Sequence, residues 1–185
     1  YCSSHSYSDQ ATARTAFEKA KQKLFDVNQW SNLKGISSTF ELFNERGHRS
    51  TLNIPKTGYY IRIILPAPAI ENWVRISKIE TQENMAEFVV HPSEQPSERA
   101  ESEPVIEHFF IKEASSTFRV ELHGTELIGC EIGRNEGINN QGEEAGDRAL
   151  ANTLIAEGGW AGFQGIQWEK LMAYIVHNEE AANEQ

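Results

Sequence analysis

Seven short runs rich in β-branched and aromatic residues follow one another through the middle of the chain, and they restrict its fold more than any other feature. They lie at 38–43 (STFELF), 58–65 (GYYIRIIL), 73–80, 85–91, 107–112, 117–122 and 126–132. Turn-forming residues separate most of them, which is the pattern of strands. Short links between strands in series favour antiparallel hairpins over crossover units.

The flanks have a different period. Between residues 8 and 27, Ala13, Ala16, Phe17, Ala20, Leu24 and Val27 recur at three- and four-residue steps, which predicts an amphipathic helix capped by Ser8 or Asp9. Its stripe is narrow and Ala-rich, so it should pack closely on something flat, with Trp30 anchoring the chain as it leaves. After a polar connection at 133–147, helix is expected over 148–157, ending at Gly158-Gly159, and again over 166–177. The glycines of 157–165 read as a turn between these two helices. In the last helix Trp168, Leu171, Met172 and Ile175 share one stripe. The expected class is α+β: a curved antiparallel sheet of six to seven strands packed with an N-terminal helix and a broken C-terminal helix. One domain spans 8–177, between a mobile start at 1–7 and a mobile acidic tail at 178–185. Residues 92–104 are rich in Pro, Ser and Glu and read as a disordered insert.

Pairing the later strands predicts faces. A four-residue loop at 113–116 sets Ile111 against Phe118, Phe109 against Val120 and His108 against Glu121. Phe109, Ile111, Phe118 and Val120 then form one apolar face. A two-residue turn at Gly124-Thr125 would add Gly129 and Glu131 to that face. A three-residue loop at His123–Thr125 would add Ile128 and Cys130 instead, and burial favours it, with Gly124 or a neighbour left-handed. Val74 and Ile76 share a face but Ile79 does not, so a bulge near Ser77 is expected.

The 185 residues suffice for a core without metal or disulfide support. Cys2 and Cys130 are far apart in sequence and are expected as free thiols, with Cys130 in the core. A formal charge of −10 argues against nucleic acid as a partner, and by sign against an anionic membrane. Lys19, Lys21 and Lys23 read as a solvated helix face. No apolar run reaches the roughly 20 residues of a membrane span, so the chain is expected to be soluble and without a transmembrane segment. It begins at Tyr1, compatible with trimming or with signal removal, and neither the compartment nor the oligomeric state is assigned.

No nucleotide-binding or nucleophile motif occurs with the right flanks, and no cofactor is implied. The six histidines (His5, His48, His91, His108, His123 and His177) show no metal-ligand spacing, so no metal site is expected. The oxygen-rich stretch from Asn135 to Glu144 lacks EF-hand spacing. His108 facing Glu121 is the one pair suited to proton transfer, and an exposed polar pair is the plainer reading.

Three segments carry a resemblance: FDVNQWSNL (25–33) before the strand series, IRIILPAPAIENWVRISKIE (61–80) within it, and WEKLMAYIV (168–176) at the end. Their order resembles the START-like (SRPBCC, helix-grip) superfamily over most of the chain, at the level of layout. That family opens with a strand, whereas none is expected here before Ser8, and its terminal helix is unbroken. The resemblance implies a cavity for an apolar or amphipathic small molecule and no fixed catalytic residues. Ligand-lining positions are then Phe109, Phe118, Val120, Trp168 and Met172, with no catalytic residue assigned. A protein–protein interaction or structural module without a pocket is the alternative.

Overall fold

Seven strands pair into a single antiparallel sheet in the order β1-β7-β6-β5-β4-β3-β2, curled into a half-barrel. The strands are β1 (Cys2–Ser6), β2 (Thr39–Phe43), β3 (Tyr60–Ile64), β4 (Glu71–Gln82), β5 (Met85–Ser93), β6 (Ser115–His123) and β7 (Glu126–Arg134). Helix α1 (Gln10–Phe25) and a 3₁₀ helix (Val27–Asn32) lie between β1 and β2, and helix α2 (Trp160–Ile175) follows the sheet. The structure, a computed structural model, describes residues 1–52, 54–66, 71–96, 114–135 and 160–179, with 160–166 described by their backbone. No helix among these is long and apolar enough to cross a membrane.

The α1 stripe is buried as its spacing requires: Ala13, Ala16, Phe17, Ala20 and Leu24 all face inward. Asp9 caps the helix, its carboxylate accepting from the Thr12 amide and hydroxyl at 2.8 Å each. These bonds, the backbone one first, hold the Asp9 carboxyl below its ordinary range. Trp30 is buried and donates its indole N–H to the Lys23 carbonyl at 3.1 Å, tying the 3₁₀ helix to the end of α1. The expected irregularity in β4 is present: the register with β5 shifts between Ile76 and Lys78, leaving Ser77 unpaired. It returns Ile79 to the concave face opposite Phe88.

Several expectations are corrected. Residues 2–6 are not a mobile start; they form β1, the edge strand beside β7. Cys2 stands opposite Cys130 with a Cα separation of 4.2 Å, and the two form a disulfide. Distance along the chain misled here, because strand pairing brings together residues 128 positions apart. Neighbouring Tyr1 and Glu131 exchange both backbone hydrogen bonds at 2.8 Å, so the cysteines occupy the close, non-bonded kind of antiparallel pair. Cys130 lies on the convex side opposite Arg119, not in the core.

The proposed partner of β6 is also corrected. Its two edges are taken by β5, which sets Phe88 against Phe118, and by β7. Residues 107–112 themselves lie outside the described residues, as do 97–104 of the insert and most of the oxygen-rich stretch. Pro92 and Ser93, at the start of that insert, belong to β5.

The β6–β7 turn has two residues, not three. His123 pairs with Glu126 across Gly124-Thr125, and Gly124 takes the expected left-handed conformation at φ 65°. Gly129 and Glu131 therefore face inward, opposite Val120 and Phe118, while Ile128 and Cys130 face outward. The reason is α2. A Cβ on Gly129 would stand 3.0 Å from Val176 Cγ1 and 3.6 Å from the Met172 carbonyl oxygen. The helix rests on the strand where the strand lacks a side chain. Finally, α2 begins at Trp160, so Gly162 and Gly165 are helical and do not form a turn. The expected break at Gly158-Gly159, with the helix before it, lies outside the described residues.

Side chains close both sheet edges. On β2, Asn28 Oδ1 accepts from Leu42 N (2.9 Å) and Ser31 Oγ accepts from Phe40 N (2.8 Å), so the 3₁₀ helix substitutes for a further strand. On β1, Asn178 donates to the Ser4 carbonyl (2.9 Å) and accepts through Oδ1 from the His5 ring Nδ1 at 2.7 Å. Asn178, expected in a mobile tail, thus ties the end of α2 to β1. The helices are joined by Lys23, which donates to the Tyr174 carbonyl at 3.0 Å, and by His177 Nε2, which donates to the Ala16 carbonyl at 2.9 Å.

Two outcomes test this arrangement. Reducing the disulfide, or Cys130→Ser, should lower stability by roughly 2–5 kcal/mol, with faster amide exchange in β1 than elsewhere; unchanged stability and exchange would contradict it. Gly129→Val should cost about 1–3 kcal/mol by overpacking in denaturant titration, with Gly129→Ala costing less.

Candidate functional site

The concave face of the sheet is lined by alternate residues from each strand, because side chains alternate and one face is enclosed. Its centre is a set of five aromatic rings from five elements: Trp30 of the 3₁₀ helix, Phe40 of β2, Phe88 of β5, Phe118 of β6 and Trp168 of α2. Phe118 stacks on Phe88 at 5.0 Å between centroids and meets Trp30 at 5.3 Å. Trp168 stands edge-on to Phe118 at 5.4 Å and reaches Phe40 at 6.1 Å. Such tilted and offset pairs add about 0.5–1.5 kcal/mol each to the burial of the rings.

Four of the five expected lining residues come together here. Phe118, Val120, Trp168 and Met172 are all buried in one core cluster, on β6 and the facing side of α2. Phe109 lies outside the described residues. Val120 stands across from Gly129, where α2 presses Met172 and Ile175 onto the sheet.

Polar side chains adjoin this apolar centre. Glu131 is 2% exposed on the concave face, opposite Phe118. Gln167, beside Trp168 in α2, is buried and accepts from the Ser38 amide through Oε1 at 3.2 Å. Asn72 is buried opposite Ile63. Among the described residues these supply most of the chemistry that a hydrocarbon-lined face lacks. Sequence reasoning missed Glu131, because the choice of turn length put it on the wrong face. The available signal was Gly129 itself: an inward-facing glycine looks like wasted burial until a helix is placed over it.

The convex face carries the charges. Glu87 is almost fully buried but sits between Lys78 (2.9 Å) and Arg119 (2.7 Å to Nε). Burial pushes its carboxyl upward, but the hydrogen bonds and charges of Lys78 and Arg119 outweigh this and hold it below its ordinary range. Glu121 pairs with Arg119 at 3.4 Å and with His123 at 3.1 Å on the same side. Glu121 thus faces away from the concave centre, and its suggested partner His108 lies outside the described residues. No group of three or more His, Cys, Asp or Glu among the described residues is placed to hold a metal ion.

No family model and no curated protein matches the chain. Among solved structures, a hypothetical protein from Helicobacter pylori is similar at 11% identity and a TM-score of 0.49, covering 94% of this chain and 85% of its own. A protein from Chromobacterium violaceum is similar at 10% identity and a TM-score of 0.43, covering 95% and 96%. Ara h 8.0201 is similar at 9% identity and a TM-score of 0.39, covering 96% and 97%.

Glu87 supplies a pH-dependent prediction. Its folded value is depressed, so its contribution to stability is present above the unfolded value near 4.5 and is lost as pH falls through the lower folded value. Glu87→Gln should therefore cost about 1–2 kcal/mol at neutral pH, a modest figure because Lys78 and Arg119 are partly exposed and screened. The difference from the parent should begin to close as pH falls below the unfolded value and vanish below the folded one in urea titrations; a constant difference would assign the loss to packing.

Proposed function

We propose that this chain is a helix-grip-type binding protein that takes up an apolar or amphipathic small molecule between the concave face of its sheet and α2. The observation that carries the reading is Trp168: the terminal helix points it into the curl of the sheet, edge-on to Phe118. Phe118, Val120, Trp168 and Met172 are the proposed lining, with Phe109 as a further member. β1 before α1 also supports the layout, since the helix-grip family opens with a strand at that place. Mostly apolar walls with a few placed polar groups are what small-molecule sites need, and Glu131 and Gln167 are the candidates to orient a polar end.

A second reading has its own support. The five rings contact one another continuously, at centroid distances from 5.0 to 6.1 Å, as a filled core would. In that reading the chain is an interaction or structural module without a pocket.

Titration with the fluorescent apolar anion 1-anilinonaphthalene-8-sulfonate, with native mass spectrometry of protein from its source, separates the two. Binding predicts saturable one-to-one uptake and a retained small molecule. Trp168→Phe should weaken uptake about tenfold while the melting transition stays cooperative. Trp168→Ala is unsuitable, because truncating a buried Trp costs about 3–5 kcal/mol of stability. No saturable uptake by the parent would favour the module.

A further inference from the structure

The connection between β2 and β3 differs from the rest of the described surface. Among the described residues only Tyr1, Leu52 and Ile54 are exposed large hydrophobic side chains, and this connection holds two of them, at 72% and 65% exposure. Single scattered exposed aliphatics are ordinary; here two stand two positions apart in one connection. Arg46, His48, Arg49 and Lys56 are exposed in the same connection. Arg46, Arg49 and Lys56 against Glu45 give residues 44–59 a formal charge of +2 in a chain of −10. Arg49 and Arg62 share Glu41, and Arg62 also reaches Glu71, so that cluster is balanced. Arg46 and Lys56 make no ion pair among the described residues.

The tip rises from a fixed base. Asn44 Oδ1 accepts from the Arg46 and His48 amides at 3.0 Å each, and Ser50 N donates to the Leu42 carbonyl at 2.7 Å. On the return side Pro55 is buried and Gly58 N donates to the Ile76 carbonyl at 2.8 Å. A tip held at both ends presents its side chains with little ordering cost on binding. Aliphatic side chains flanked by cations match an anionic lipid surface: the aliphatics enter the boundary of headgroups and chains, and the cations meet the headgroups. The chain's overall negative charge does not oppose this, because charges beyond about 8–10 Å are screened at physiological salt.

We propose that the β2–β3 connection is a docking site for an anionic phospholipid surface, seating Leu52 and Ile54 at the interface between Arg46 and Lys56. The site is separate from the concave face and stands or falls independently of any ligand there.

Co-sedimentation of the whole chain with phosphatidylcholine vesicles, with and without phosphatidylserine, tests it. The parent should bind weakly and reversibly, and more tightly when phosphatidylserine is present. Each inserted aliphatic contributes about tenfold or more, so Leu52→Ser with Ile54→Ser should weaken binding about 100-fold. Arg46→Gln with Lys56→Gln should weaken it by roughly 10–30-fold on anionic vesicles only. Circular-dichroism melts of both variants should match the parent. Absence of binding, equal binding to both vesicle types, or binding unaffected by the serine pair would overturn the proposal. So would a lipid-independent dimer that the serine pair abolishes, since a second copy would then cover the tip.

Discussion

The close approach of α2 to β7 at Gly129 governs the rest of the structure. A helix can come this close to a strand only where the strand beneath it offers no side chain. With Val176 at 3.0 Å from the position a Cβ would take, almost any other residue would lift the helix. Seating α2 there sends Trp168 to Phe118 and joins its end to α1 through Lys23 and His177. The choice of a two-residue turn at Gly124-Thr125 follows as well, since only that register turns Gly129 inward.

The two faces of the sheet divide the chemistry. The concave face gathers aromatic rings with a few buried polar groups. The convex face carries paired charges: Glu87 between Lys78 and Arg119, and Glu41 between Arg49 and Arg62. Glu41 and Glu87 are deeply buried for carboxylates, and each is paired with two cations, which offsets the cost of burying its charge. Arg62 also lies over Phe43 and Trp73, which lets Trp73 stay buried on a face that is otherwise charged.

A half-barrel retains two edges, and here each is handled separately. Asn28 and Ser31 occupy the β2 edge, while Asn178 and the Cys2–Cys130 disulfide hold β1 in place. Leu52 and Ile54 stand outside this scheme of closure, on a loop whose ends are fixed and whose tip faces solvent.

Local pattern in the sequence determined most of the elements. The α1 stripe, the role of Trp30, the bulge at Ser77, six of the strands and the burial of Phe118, Val120, Trp168 and Met172 were legible from periodicity and residue type. Such signals depend on neighbours only a few positions apart. Long-range contacts decided the rest. Cys2 and Cys130 meet because β1 closes the sheet, which no spacing of two cysteines can announce. Glu131 turns inward because a helix more than 30 residues further on rests on Gly129. Strand order, turn length and the inward face of β7 are set by which arrangement packs α2 against the sheet. That is a property of the assembled layers and not of any one segment.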